Sequence, residues 1–372
     1  MRNTYCEISI PILKNNIQII QDFCGTKKVC AVIKADAYGH SIIPVAQACI
    51  DQGIDYLAVA ILQEGKQLRD AGFTIPILLL AGIEYSEIND CIKHNLTITA
   101  SSLEKLNQIA ECATLLQIQP LVHLKIDTGM NRIGVHWNRC VEFINTVKKL
   151  HDTGVVYCEG IYSHFTDTFD QDFTKQQFDR LMSVIVYANT IGLSFSIKHI
   201  CSSRAVFMNP EYHMDMVRVG IALYGIEPEC NKSILPKEIK PVLSWKSHVV
   251  YFKVVTNDES VGYGRTWKPS GEYARIATIP VGYADGFPRR LSNSGSVIIR
   301  GRKYQIAGRV CMDQIMVDLG MDGEAYVGDS VTIIGNDGES TISSESIAKI
   351  IDTTPHEITT CISNRVPRII IK

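Results

Sequence analysis

The 372-residue chain lacks the marks of several protein classes. Its 12 cysteines form no Cys-x-x-Cys pair and are irregularly spaced. That argues against a zinc site or a disulfide framework, and no metal site is expected. Several, such as Cys30, Cys49 and Cys158, sit in apolar stretches and read as free buried thiols in a reducing compartment. Long apolar runs are also missing. The longest is about nine residues, 75–83, interrupted by Pro76 and Gly82, whereas a membrane-spanning helix needs roughly 20. The opening Met1-Arg2-Asn3-Thr4-Tyr5 lacks the apolar core of a signal peptide. The expected location is cytoplasmic, as a free protein or as the cytoplasmic domain of a membrane-bound one. There is no block of like charge, and the formal net charge is −2. Nothing attracts a polyanion, so no nucleic-acid partner is expected. Low-complexity tracts and short-period repeats are absent as well.

What is present is a normal globular balance, 46% hydrophobic and 20% charged, on a chain long enough for two domains. Short apolar runs recur at 29–33, 56–60, 77–81, 96–100, 121–126, 158–162, 195–200 and 217–222. Between them lie helical patterns, including 42–51, 103–116, 141–151 and 175–191. A strand–helix unit repeated eight times predicts an α/β fold of the (β/α)₈ or TIM-barrel type; an open doubly wound sheet is the alternative. From about residue 236 the pattern changes to β-rich runs at 247–255, 275–281, 296–300, 314–319 and 330–334, separated by turns such as Asn293-Ser294-Gly295. One late helix is expected over 343–351. The expected domains are a barrel over 1–235 and a mostly β C-terminal domain over 236–372.

In such a barrel, chemistry collects at the C-terminal ends of the strands. Lys34 follows the first run. Lys125, Asp127 and Arg132 follow the fifth, and His164 the sixth. Ser202 and Ser203 follow the seventh; Arg218 and Gly220 lie at the eighth. Ser203, with backbone N–H groups near Gly220 and Ile221, would form a phosphate site. An amine at the end of an apolar strand is partly desolvated, which lowers its proton affinity. A neutral Lys34 amine could then form a Schiff base with an aldehyde.

The stretch Ala31-Val32-Ile33-Lys34-Ala35-Asp36-Ala37-Tyr38-Gly39-His40 resembles the pyridoxal phosphate (PLP) attachment signature of alanine racemases. Further matches run from Lys125 to Gly134 and from Arg218 to Gly225, and include Gly262-Tyr263-Gly264-Arg265-Thr266, Gly308-Arg309-Val310-Cys311-Met312-Asp313 and Arg365-Val366-Pro367-Arg368. The resemblance covers nearly the whole chain. It implies a PLP enzyme in which Lys34 holds the cofactor and acts as one catalytic base. Tyr263 of the partner subunit is the second base, on the opposite face of the substrate α-carbon, so the active form is a homodimer with shared sites. Tyr38, Ser203, Gly220 and Ile221 hold the phosphate. Arg218 faces the pyridine nitrogen and His164 packs by the ring. Arg132 and Met312 contact the substrate carboxylate. Lys125, often carbamylated in this family, pairs with Arg132. Cys311 and Asp313 flank Met312, and Tyr283 lines the entry.

Three positions depart from the family pattern. Ser202-Ser203 replaces Asn-Ser. Phe169 stands where an entry-gate acid is usual, with Asp167 and Asp170 as nearby candidates. Asn364 replaces a Tyr close to the substrate side chain. Asn is smaller and offers a donor and an acceptor, which would admit a hydroxymethyl group. The chain thus resembles the racemase domain of the membrane-bound serine racemases of vancomycin-resistance clusters, whose N-terminal membrane domain is absent here. This implies L- and D-serine as substrates, with alanine also turned over, supplying D-amino acid for cell-wall precursors and glycopeptide resistance. An ordinary alanine racemase is the alternative. A PLP-dependent decarboxylase fits less well, because Arg218 stands where those enzymes place an acid, and a small PLP-binding barrel protein would lack the C-terminal domain.

Overall fold

The computed structural model describes residues 3–230 and 233–372. The chain forms two compact units that interleave along the sequence: Ile17–Ala37 with Ile42–Leu223, and Met1–Asn16 with Tyr38–Ser41 and Tyr224–Lys372.

The first unit carries eight main parallel strands, one at each expected run. One sheet has the order Met216–Val219, Lys28–Val32, Tyr56–Val59, Ile77–Leu79. The other has the order Ile98–Ala100, Leu121–Asp127, Tyr157–Tyr162, Ile197–His199, with the short Val135–His136 beside Leu121–Asp127. A parallel bridge joins Leu78 to Thr97. The amides of Asp215 and Arg218 donate to the carbonyls of Lys198 and Cys201. The strands read as continuous apolar runs because both faces are covered; Tyr56–Val59 is buried at every residue. Helices Ile42–Asp51 and Leu103–Leu116 coincide with the apolar periodicity, and the Ser102 hydroxyl caps the latter by accepting from the Lys105 amide. The eighth strand stops earlier than expected, at Val219, and Ile221–Tyr224 is a 3₁₀ turn. The cause is Ser203, whose Oγ accepts the amide hydrogens of Gly220 and Ala222 and takes them out of the ladder.

The second unit is a ten-stranded sheet. Its path runs from the edge strand Tyr251–Thr256 through Tyr273–Ile279, Ile315–Asp318, Arg302–Ile306, Ser296–Ile299, Ser330–Asp337 and Leu243–His248 to Tyr5–Ser9 and Arg368–Ile371. The run expected over 247–255 is two strands, because the amides of Val249 and Val250 bond instead to Asp329 and Thr278. The N-terminal strand Tyr5–Ser9 lies between Leu243–His248 (antiparallel) and Arg368–Ile371 (parallel), so the first residues belong to the β unit. The late helix is Ser344–Ile351, followed by the unanticipated Pro355–Thr360.

All 12 cysteines are unpaired, and burial pushes the Cys30 and Cys49 thiols up to about 12, which leaves them unreactive near neutral pH. Among the described residues no helix is long and apolar enough to cross a membrane.

Candidate active site

Strand Lys28–Val32 delivers Lys34 half-buried at its end, with the Ile33 amide still bonded to the Ala58 carbonyl. The turn that follows is left-handed. Ala35, Asp36, Ala37 and Tyr38 all have φ between 51° and 55°. Four L-residues in this region cost about 4–8 kcal/mol together, at roughly 1–2 kcal/mol each. Specific bonds hold the strained run in the first unit. The Ala35 amide donates to Glu64 Oε1 (2.7 Å), the Ile42 amide to Asp36 Oδ1 (2.7 Å) and the Ala37 amide to the Ile33 carbonyl. Burial pushes the Lys34 amine below its ordinary proton affinity; Arg132 adds to this and Glu64 opposes it.

Register places Lys125, Tyr162 and His199 at one level on three neighbouring strands. Lys125 Nζ lies 4.7 Å from the Tyr162 ring centroid, and the Tyr162 and His199 rings stack at 4.7 Å and 10°. Lys125 is buried, and that burial, with Arg218 and Arg132, holds its amine well below the usual range against the pull of Asp127. Asp127 Oδ1 accepts from the Gly129 and Asn131 amides, which shapes the loop that carries the exposed Arg132.

Arg218 is buried at the end of the eighth strand. Its two terminal nitrogens donate to His199 Nδ1 (2.7 Å), to the Ser163 and Ile200 carbonyls and to His164 Nδ1 (3.2 Å). Its Nε–H takes no part in these bonds. Burial, and next Arg218, hold both His164 and His199 well below the ordinary histidine range. His199 Nε2 then meets His123 Nδ1 (2.9 Å), and His123 Nε2 meets Glu159 Oε2 (3.0 Å). Tyr56 donates to the same Glu159 oxygen (2.8 Å) and its hydroxyl also bonds Thr97 (2.7 Å). Burial pushes the Glu159 carboxyl up, but the His123 and Tyr56 hydrogen bonds outweigh it, and the net shift is downward. Sequence reasoning missed Glu64, His123, Glu159 and His199. For the two histidines and Glu159 the readable signal was polar residues inside otherwise apolar strands; Glu64, on helix Leu62–Asp70, gave none.

Ser203 is buried. Its Oγ accepts from Gly220 N (3.0 Å) and Ala222 N (3.3 Å), so its own hydroxyl hydrogen remains to donate. Ile221 is buried in the same turn. The first unit thus gathers Lys34, Lys125, Arg132, His164, Ser203, Arg218, Gly220 and Ile221. Asp167 and Asp170, the candidate gate acids, accept from the Phe169 and Phe173 amides, so both carboxylates cap local turns.

In the second unit Tyr38 is buried against Tyr224 (5.1 Å between ring centroids). Arg368 donates to the Gly39 carbonyl (3.0 Å) and to the carbonyls of Ile362, Ser363 and Val366, a role the sequence did not suggest. Tyr263 is 71% exposed in a turn flanked by Gly262 and Gly264, both at positive φ, with the Arg309 guanidinium beside Gly264. The loop carrying Cys311, Met312 and Asp313 is docked on the turn at Tyr283, where the Tyr283 and Ala284 amides donate to the Cys311 and Met312 carbonyls. A Cβ at Gly282 would lie 2.3 Å from the Met312 carbonyl oxygen, so only glycine permits this approach. Arg365 bonds Asp313 (2.7 Å) and pairs with buried Asp285 (3.4 Å); its neighbour Asn364 is exposed.

A parallel α/β unit with a desolvated lysine, a seryl–amide cradle and a buried arginine, on the same chain as a mostly antiparallel β unit, is the architecture of a two-domain racemase. Residues 8–228 match the family model for the alanine racemase N-terminal domain, and residues 242–370 the model for the alanine racemase C-terminal domain. The chain belongs to the alanine racemase family. It is 40% identical over 370 residues to an alanine racemase of Halothermothrix orenii, covering 99% of this chain and 96% of that protein. An alanine racemase of Methanococcus maripaludis is 38% identical, with 98% of each covered. The solved alanine racemase of Bacillus anthracis with bound L-Ala-P superposes with a TM-score of 0.92 at 32% identity, covering 100% of this chain and 96% of that one. Enzymes of this family use pyridoxal 5′-phosphate. The residues present fit that group: an amine of lowered proton affinity, hydroxyl and amide donors for a phosphate, and a spare guanidinium N–H for a ring nitrogen.

Proposed function

We propose that this protein is a PLP-dependent amino-acid racemase that interconverts L- and D-alanine by a two-base route. The observation that carries the reading is the half-buried Lys34 amine, depressed in proton affinity, on the unit that also holds the Ser203 cradle and Arg218. The names of the relatives, and the L-Ala-P bound to the Bacillus anthracis enzyme, support alanine over the serine preference expected from Asn364. The relatives named above carry neither a serine-racemase nor a vancomycin-resistance name, and alanine replaces serine as the main reading. Asn364 then tunes side-chain discrimination within an alanine enzyme.

The eight parallel strands are read as a closed (β/α)₈ barrel; the Leu78–Thr97 bridge and the Asp215–Lys198 and Arg218–Cys201 bonds support closure. A domain division near residue 235 is supported by the limits of the two family matches, with Tyr5–Ser9 and Tyr38–Ser41 belonging to the β unit rather than to the barrel.

Bound PLP supplies an electron sink that acidifies the substrate α-carbon. Lys34 Nζ would anchor it and, released when the substrate amine takes its place, would move a proton on one face of that carbon. Tyr263 of the partner subunit moves a proton on the other through its phenolic oxygen. Tyr38, Ser203 and the Ile221 amide would hold the phosphate, with Gly220, whose own amide is committed to Ser203 Oγ, shaping the turn. Arg218, whose Nε–H is not used in its bonds to His199, His164, Ser163 and Ile200, would face the ring nitrogen and, being always charged, would donate without giving its proton away. That would weaken the sink and favour return of the α-proton over side reactions. His164 packs by the ring; Arg132 and Met312 receive the substrate carboxylate; Lys125 sits near Arg132 as a buried neutral amine suited to carbamylation. Cys311, Asp313 and Tyr283 shape the entry. The exposure of Tyr263 and of Met312 (52%) supports a homodimer in which these groups are covered by a second copy.

The test is chiral chromatography of the PLP-loaded protein with each enantiomer of alanine and serine. Equal final mixtures from L- and D-alanine, abolished by Lys34→Ala, are expected. Release of carbon dioxide, or turnover of serine with none of alanine, would overturn the reading.

A further inference from the structure

Arg218 ends a chain of buried hydrogen bonds that has a single possible direction. A guanidinium can only donate, so His199 Nδ1 accepts and His199 carries its proton on Nε2. That proton must go to His123 Nδ1, so His123 carries its own on Nε2 and gives it to Glu159 Oε2. Tyr56 adds a second donor to the same carboxylate oxygen. Every link points from Arg218 to Glu159, and an acceptor is required at the far end.

The backbone is bent to place that acceptor. Val122 pairs with Cys158, but His123 pairs with Gly160, so Glu159 is an extra residue, a β-bulge in strand Tyr157–Tyr162. A bulge re-aims a side chain that regular alternation would turn to the other side. Gly160 completes the arrangement. A Cβ there would lie 2.7–2.8 Å from three atoms of the His123 ring, so the imidazole has room only over a glycine.

We propose that Glu159 is a remote positioning residue for the racemase: as the terminal acceptor of the Arg218–His199–His123 chain, it fixes the orientation of both imidazoles and so holds Arg218 in place. The functional part of this inference rests on the reading of Arg218 above. Glu159 touches neither substrate nor cofactor in this scheme and acts only through the histidines. Both histidines stay neutral through the working pH range, consistent with the depressed proton affinity of each.

The experiment is ¹⁵N-histidine NMR of the PLP-loaded full chain, with kinetics, on the wild type, Glu159→Gln and Glu159→Leu. The wild type should show His123 and His199 as neutral Nε2–H tautomers that do not titrate between about pH 6 and 9. Glu159→Gln, which keeps a carbonyl acceptor, should retain both tautomers and most of the activity. Glu159→Leu should shift or broaden both histidine signals and lower kcat about tenfold or more with little change in KM. A His199 Nδ1–H tautomer in the wild type would overturn the proposal, and this result needs no variant to fold. So would a Glu159→Leu enzyme with unaltered His199 signals and wild-type kcat. If the wild type shows the expected tautomers but racemises nothing, the racemase reading fails while the chain stands. If it racemises alanine and Glu159→Leu matches it in every readout, the reverse holds.

Discussion

The backbone amide of Ala35 donates to Glu64 Oε1 at 2.7 Å, and this bond holds the residue after Lys34 in a left-handed conformation. The other carboxylate oxygen of Glu64 accepts from the amides of Ala60 (2.8 Å) and Ile61 (3.3 Å). One side chain thus ties two strand ends together. Glu64→Gln keeps the shape but has one acceptor oxygen, so it leaves an amide hydrogen facing an NH₂ group. The expected loss is roughly 1–2 kcal/mol of stability, measured by thermal unfolding. The negative charge of Glu64 also raises the proton affinity of Lys34. Its removal should lower that affinity further, so the acid limb of PLP uptake by the free protein should move to lower pH. A limb that moves to higher pH would contradict this electrostatic assignment.

Lys34 and Tyr263 offer a separate test of the shared site. In a two-fold dimer each site would take Lys34 from one copy and Tyr263 from the other. Lys34→Ala and Tyr263→Phe should each be nearly inactive alone. Co-expressed in equal amounts they should form heterodimers in about half of the dimers, each with one intact site, giving about a quarter of wild-type activity. Racemisation of alanine by the mixture measures this; no recovery at all would place both bases on one subunit.

The strand pattern was legible because parallel strands buried on both faces are continuously apolar, and each of the eight runs became a strand. Lys34 and Arg218 were legible from their places at strand ends. What stayed hidden depends on register and on partners remote in sequence. The strand Tyr5–Ser9 is completed by pairing with Leu243–His248, across more than half the chain. The Glu159 bulge is one extra residue that no periodicity reveals. His123 and His199 read as isolated polar residues until the fold sets them 2.9 Å apart. The left-handed run at Ala35–Tyr38 contradicts the local preference of its own residues and is held by Glu64, which accepts the Ala35 amide, and by Asp36, which accepts the Ile42 amide.

Asn364 adjoins Arg365, which grips Asp313 beside Met312. If Asn364 lies near the substrate side chain as proposed, Asn364→Tyr should restrict that space and lower serine turnover relative to alanine by roughly 10-fold, about 1.4 kcal/mol of discrimination. Steady-state kcat/KM for both substrates measures it. An unchanged ratio would remove Asn364 from the specificity argument. Arg365→Ala should act differently, raising KM for both amino acids while leaving their ratio unchanged. Its effect on stability should stay below about 1 kcal/mol because the guanidinium is half exposed.

Lys125 gives the last prediction, on the pH dependence of folding. Its amine is buried against the Tyr162 ring, and burial with the nearby Arg218 and Arg132 holds its proton affinity well below the ordinary 10.5. Between the folded and unfolded values, the unfolded chain binds a proton that the folded chain does not. Stability therefore rises with pH across that window and reaches its full contribution only above the unfolded value. Lys125→Met keeps the length and apolar contact of the side chain but removes the titration. The variant should unfold at a temperature higher by about 2 °C or more near neutral pH, and the gain should shrink as the pH is raised toward 10. Calorimetric melting of the PLP-free protein at several pH values measures both effects. Carbon dioxide offers an independent check, because carbamylation needs the neutral amine. Adding bicarbonate should stabilise the wild type and leave Lys125→Met unaffected. A bicarbonate response of equal size in the variant would place the modification elsewhere.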